Sequence, residues 1–338
     1  MQIPMEASLN DARARAREWV AQARTRLRIE ARRPGNLLFR GLMLFFVILV
    51  IAIVIGLTWV LVSNSWLSIS TNGLSYLSNN AFDPVHNAYG VAPAIFGTAV
   101  TSIFALFFAL PIGVGTAIFL VDYCPRRLRA PFAFMLDLLA TIPSVVLGLW
   151  GFLVMVPWLQ LKGEPWLQQH FGFLPFFQGT PHGLGLLAAG MLLTVMVLPI
   201  ITAISREVML NVPTSQREAL LALGATRWEV IRHAVLPFSR VGIAGGAILG
   251  LGRALGETIV VTSVIGNQAA PPSLSLFNTG YTLASVIANQ FGEATPGIFV
   301  SAVLEAGLLL LIITLITNIL ARVLITRLGR FRTEGASK

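Results

Sequence analysis

Two charged residues, Arg253 and Glu257, stand in a stretch from Val241 to Ile265 that is otherwise almost wholly apolar or small. A charge at mid-membrane costs roughly 2.5–3.5 kcal/mol even on lenient insertion scales, so its presence asks for a purpose. Four residues apart, the two side chains share one face of a helix and can offset each other. A guanidinium can also hold an oxyanion through two parallel hydrogen bonds, which an ammonium cannot. The pair is the first site candidate; its plainer alternative is a structural ion pair between helices. Covalent chemistry finds no support in the rest of the chain. The four histidines are scattered without an HExxH pair, and the single Cys124 excludes an intrachain disulfide or a multi-cysteine metal site. There are no paired aspartates and no GxSxG, and the glycine-rich Gly250–Gly256 lacks both GxGxxG spacing and a preceding strand. With no Walker A sequence either, energy for any active transport has to come from a partner or an ion gradient.

The elements that position the pair follow from composition. The chain of 338 residues is 55% hydrophobic and 12% charged, with a mean hydropathy of +0.77, which fits a polytopic membrane protein and no ordinary soluble domain. Six apolar segments of spanning length lie near 38–62, 93–121, 132–157, 184–205, 240–265 and 297–325. Of the 24 Lys and Arg, Arg253 lies within a span and Lys162 alone lies in the first, third and fifth connections; the rest fall at the two ends and in the segments 122–131 and 206–240. Positive residues stay inside, so both termini and those two segments are expected to be cytoplasmic. The net charge of +9 is thereby a matter of topology rather than of nucleic acid. The polar, basic start is not a signal peptide.

The expected organisation is a basic cytoplasmic arm over 1–37, a six-span domain over 38–328 and a tail over 329–338. In the arm, Trp19, Ala23 and Leu27 recur at helical spacing among arginines, and Pro34-Gly35 would end that helix. The arm reads equally as an in-plane helix on anionic lipid or as a solvated topology signal. Residues 158–183 hold PWLQQHFGFLPFF, which suggests a partly embedded external segment with an aromatic belt. Gly242, Gly246 and Gly250 form one small-residue row and Gly252 and Gly256 a second, suited to close helix packing within the chain. Pro111 suggests a bent second span, and Pro143, flanked by Thr141 and Ser144, a break in the third.

Between the fourth and fifth spans the sequence NVPTSQREALLALGATRWEVIRHAVLP reads as two short helices joined by a glycine. Ser215 with Glu218, and Thr226 with Glu229, are spaced as capping boxes. Gly224 supplies the left-handed stop of the first helix, and Pro237 is expected to end the second. Such an element is built for docking.

That segment resembles the cytoplasmic "EAA" loop of ABC-importer permeases, matching the family at Glu218, Ala219, Gly224, Leu236 and Pro237 and departing from it at Leu220 and Ala234. The resemblance narrows further. YGVAPAIFGTAVTSIFALFFALPIGVGTAIFLVDY (89–123), LDLLATIPSVVLGLWG (136–151) and GRALGETIVVTSVIGN (252–267) look like the PstC-type permease of phosphate importers, with Asp137 and Leu147 where the family usually has Glu and Tyr. The resemblance implies an all-α polytopic fold of the six-span, MetI-like ABC-permease type in a bacterial inner membrane. It implies a PstA-like second permease, a PstB-like ATPase dimer that binds ATP and magnesium in this chain's stead, and a periplasmic phosphate-binding protein.

The implied substrate path would hold Arg253 and Glu257, the hydroxyls of Thr258, Thr262 and Ser263, and Asp137, Thr141 and Ser144 of the third span. The implied ATPase contact would hold Glu218, Ala219, Gly224, Arg227, Trp228, Leu236 and Pro237. Glu305 is expected to meet only a polar neighbour. A permease for sulfate or molybdate, an intramembrane enzyme and a signalling scaffold are the rival readings.

Overall fold

The computed structural model describes residues 34–334, and within them no strand forms; two isolated bridges, Asp83 with Ala88 and Gly266 with Gly280, are the only extended pairings. Six helices are long and apolar enough to cross a membrane: Leu38–Asn72, Ala92–Tyr123, Ser144–Phe171, Leu186–Leu210, Arg227–Gly256 and Ile298–Val323. The number agrees with the sequence; several boundaries do not. The helix proposed for the basic arm lies outside the described residues. The first described helix is α1 (Pro34–Asn72).

The chain divides after Val60 into two units. The first, within the described residues, is the exposed apolar part of α1 up to Val60. The second begins at Leu61. It holds the end of α1, the short α2 (Ser75–Ser78), α3 (Ala92–Tyr123), α4 (Arg126–Thr141), α5 (Ser144–Phe171), α6 (Leu186–Leu210), α7 (Thr214–Ala222), α8 (Arg227–Gly256), α9 (Ile259–Val264), α10 (Leu283–Gln290) and α11 (Ile298–Glu334). Because α11 is unbroken to Glu334, residues 329–334 of the expected tail are helical.

The core of the second unit is built on α6, the most buried span. Leu187, Ala188, Ala189, Leu192, Leu193, Val197 and Ile201 are all buried there. Lipid is as apolar as leucine, so packing rather than water exclusion holds such helices together, and small residues let them close. Three contacts show how. A Cβ at Gly190 would lie 2.5 Å from Phe104 of α3, at Gly250 2.6 Å from Val197, and at Gly246 3.2 Å from Ile204. With Gly242, which lies as close to Val208, the first glycine row packs α8 on α6 inside this chain.

Prolines set the remaining breaks. The residue before a proline is driven out of the helical region, and Ile142 (ψ 125°) accordingly separates α4 from α5 at Pro143. Four helical stretches widen into π-turns instead: Phe119–Tyr123, Gly151–Met155, Leu159–Gly163 and Ile231–Val235. Each ends two residues before a proline (Pro125, Pro157, Pro165, Pro237). A wider turn gives the ring room against the carbonyl one turn back and absorbs the missing N–H. Pro237 therefore does not end the second helix of the elbow. It is carried through, and the fifth span starts as early as Arg227.

The third span also moves. Its apolar helix is α5, Ser144–Phe171, and residues 132–141 belong to the separate α4, which buries no side chain in this chain. The segment 158–183, expected as an external belt, is helical to Phe171. An aromatic cluster of Trp166, Phe171 and Phe177 continues to Phe277. Glu164 is fully buried there and accepts from the Gly183 N–H at 2.9 Å, a role that sequence reading missed. In the 79–91 loop, a hydrogen bond from His86 holds the Asp83 carboxyl below its ordinary range.

Candidate functional site

Two places carry the residues singled out above. The first is a break in the fifth span. Helix α8 ends at Gly256 because Glu257 turns extended (φ −74°, ψ 124°), and α9 restarts at Ile259. The expected continuous span over 240–265 is thus two helices, and Glu257 is the residue at which α8 stops. Arg253 still reaches it: Nη2 lies 3.7 Å from Oε2, an ion pair too long for a hydrogen bond. The two differ in exposure, Arg253 at 46% of its side chain and Glu257 at 10%. The carboxylate is thus mostly covered, while nearly half of the arginine side chain is open. A Cβ at Gly252 or Gly256 would meet nothing within 4 Å, so this second glycine row faces open space.

A break of this kind leaves backbone groups without helical partners, which a membrane tolerates only where protein or a watery cavity surrounds them. Several are met. The Thr258 hydroxyl donates to Gly256 O (3.3 Å), and the Asn267 amide to Thr262 O (2.7 Å). The far end of α9 is tied by the Gly185 N–H to Val264 O (3.0 Å) and the Gly280 N–H to Ile265 O (3.0 Å). Left-handed Gly266 and Asn267 then turn the chain away. Thr262 and Ser263 donate their hydroxyl protons to the carbonyls four residues back, both at 2.8 Å. Expected as donors to a ligand, they have only acceptor lone pairs left in this conformation.

Gly148 brings α5 onto α9, its Cβ position 2.8 Å from the Ser263 Oγ, which places the start of α5 beside the half-helix. Ser144 is thus on an element that touches α9. Asp137 and Thr141 are not: they sit on α4, both exposed, with the Thr141 hydroxyl donating to Leu138 O at 2.8 Å. The expectation of Asp137 as a carboxylate buried in the third span is corrected accordingly. Its cause is that the break expected at Pro143 parts two separate helices instead of lying within one span.

The second place is the helix–glycine–helix element. Helix α7 starts at Thr214 behind Pro213, not behind a Ser215 cap; with the proline fixing the entry, Ser215 falls inside the first turn and its predicted box with Glu218 does not form. The other box does: the Thr226 N–H donates to Glu229 Oε2 (2.6 Å), and the Glu229 N–H to Thr226 Oγ1 (3.4 Å). Gly224 has φ +84° and closes the first helix through Gly224 N–H to Leu221 O (3.0 Å) and Ala225 N–H to Leu220 O (3.1 Å). Leu223 (83% exposed), Trp228 and Leu221 stand out from the elbow. Glu218 and Ala219 lie on α7, Arg227 and Trp228 open α8, and Leu236 and Pro237 follow further along α8.

Residues 109–330 match the family described as the binding-protein-dependent transport system inner membrane component. The phosphate transport system permease protein PstC of Xylella fastidiosa (strain 9a5c) is 46% identical over 253 residues, covering 74% of this chain and 78% of that one. PstC 2 of Mycobacterium tuberculosis is 45% identical over 244 residues (71% and 75%), and PstC of Haemophilus influenzae 44% over 251 (73% and 79%). Among solved structures, an inward-facing form of the MetNI methionine ABC transporter aligns with a TM-score of 0.53 at 19% identity, covering 70% of this chain and 95% of that one. A bacterial ABC transporter involved in the import of alginate aligns at 0.52 and 18% (89% and 99%). At such identities these two bear on the fold alone, a MetI-like, six-span, all-helical one.

Proposed function

The chain belongs to the binding-protein-dependent transport system inner membrane components, and on that footing we propose that it is the permease subunit of an ATP-driven importer that moves inorganic phosphate into the cytoplasm. The observation that carries this reading is the kinship, above 40% identity, with the phosphate permeases of three bacteria over nearly three quarters of the chain. It is a multi-pass inner-membrane protein that works in a complex with other permease and ATPase subunits. The finer assignment is a PstA-like partner, a PstB-like ATPase dimer that holds ATP and magnesium, and a periplasmic phosphate-binding protein. The distribution of arginines supports cytoplasmic termini and a cytoplasmic elbow.

Phosphate has to leave water on its way, so the path needs a cation with fork geometry. Arg253, tethered by Glu257 yet nearly half exposed, fits that need, and the open row of Gly252 and Gly256 lets a second permease approach it closely. The permease does no covalent chemistry. Docking of the loaded binding protein and closure of the ATPase dimer move the Gly224 elbow, which rocks the spans and exposes Arg253 first outward, then inward. Uptake of labelled phosphate by proteoliposomes holding the full complex tests this. Phosphate uptake that unlabelled sulfate and molybdate fail to inhibit is expected; transport of either of those in preference would replace phosphate as the cargo.

A further inference from the structure

Helix α7 buries no side chain, so apolar packing alone holds this first half of the elbow only loosely to the spans. Its firm attachment is polar. Arg217, next to Glu218, pairs through Nη1 with Oδ1 of Asp122, and its Nη2 donates to Met209 O at 2.8 Å. One guanidinium thus joins three elements: α7, the π-turn that closes α3, and the end of α6. Both side chains are largely covered, at 20% and 14% exposure. Apolar contacts of Ala117, Val121, Met209, Val212, Val230 and Val235 seal the joint from below.

We propose that the Asp122–Arg217 pair is the strut through which the elbow moves the second span. This rests on the reading of the elbow as the ATPase contact. A lever hinged only at Gly224 would tilt freely when pushed; a second rigid attachment turns the push into movement of α3 and α6. The geometry suits that task, because a guanidinium held at two acceptors resists rotation as a single contact does not. Asp122 Oδ2 is buried and meets no other donor, so the carboxylate depends on Arg217. The π-turn contributes as well. By widening the end of α3 ahead of Pro125, it sets Asp122 in its place at the joint. Arg217 and Asp122 are positioning residues: they touch no substrate.

The test uses the complete complex, with its second permease, ATPase and binding protein, in proteoliposomes, and reads phosphate moved per ATP hydrolysed. Arg217→Gln and Asp122→Asn are each expected to lower that ratio at least fivefold. The double variant should be no worse than either alone, since all three lack the same strut. Arg217→Lys keeps the charge but reaches only one acceptor, and a twofold loss is expected. A wild-type ratio in either single variant, or a double variant whose losses multiply, overturns the proposal. So does a loss of assembled complex with the ratio intact, the signature of a merely structural pair. Should neither neutral variant assemble, Arg217→Lys decides: a wild-type ratio in it overturns the strut. A wild-type complex that moves another anion instead would refute the phosphate reading alone, because the strut is then read as the same ratio with that anion.

Discussion

Replacing Gly224 with valine is the sharpest probe of the elbow, because the structure separates conformational strain from crowding. At φ +84° the residue lies in the left-handed region, and a Cβ there would meet nothing within 4 Å. Any cost of Gly224→Val is therefore backbone strain. For an L-residue that is about 1–2 kcal/mol, and a β-branched one lies at or above the upper end. Taking about 2 kcal/mol, the closed elbow loses about 30-fold in weight against opened forms, at a factor of ten for each 1.4 kcal/mol. Transport per ATP in reconstituted complexes should fall by an order of magnitude, while the span core, far along α8, keeps its packing. Gly224→Asn supplies the control. Asparagine tolerates this region, so it should retain most of the coupling. If Gly224→Val couples as well as wild type, or if the asparagine variant is equally impaired, the left-handed elbow is not what transmits force.

Arg253→Lys keeps the charge but loses the fork, and phosphate uptake by the assembled complex should drop about tenfold; normal uptake would take Arg253 off the path. Gly250→Val pushes a side chain into Val197 and should destabilise the α8–α6 contact by about 1–3 kcal/mol, visible as a lower melting temperature of the purified chain in detergent. Gly252→Val meets no atom of this chain, so that melting temperature should stay put while recovery of the second permease falls; unchanged recovery would mean that the open glycine row does not face a partner. Thr226→Ala removes the one helix cap the elbow possesses and should cost about 1 kcal/mol, read as earlier proteolysis between α7 and α8.

The number of spans, the elbow and its glycine were legible because each has a local cause: apolar length, a capping pair at fixed spacing, a residue that alone tolerates positive φ. The failures share a different cause, proline. At Pro143 the expected break is present, but it divides two separate helices rather than bending one span, and Asp137 falls on the earlier one. At Pro237 the opposite happened. A stop was expected, and a π-turn carried the helix through. Whether a proline breaks or widens a helix depends on what packs around it, which no local pattern states. The same holds for Glu164 and for Arg217 with Asp122, whose partners lie 19 and 95 residues away.

The break at Glu257 follows neither rule, since no proline stands near it. In an unbroken helix, Glu257 would sit one turn above Arg253 with its own backbone bonded, and the pair would be a closed surface bridge. Ending α8 at Glu257 turns that carboxylate inward, to 10% exposure, and leaves the guanidinium outward at a separation of 3.7 Å. On the proposed function, an ion pair at that length would let the arginine be exchanged to an anion and taken back once the anion has gone. A closed bidentate bridge would hold the arginine out of reach, and an arginine with no carboxylate would hold phosphate too long. Glu257→Gln separates these cases: it should strengthen phosphate retention and slow release, so that uptake falls while single-turnover binding to the assembled, detergent-solubilised complex rises. Equal losses of binding and uptake would show that Glu257 merely supports Arg253 and does not compete with the cargo for it.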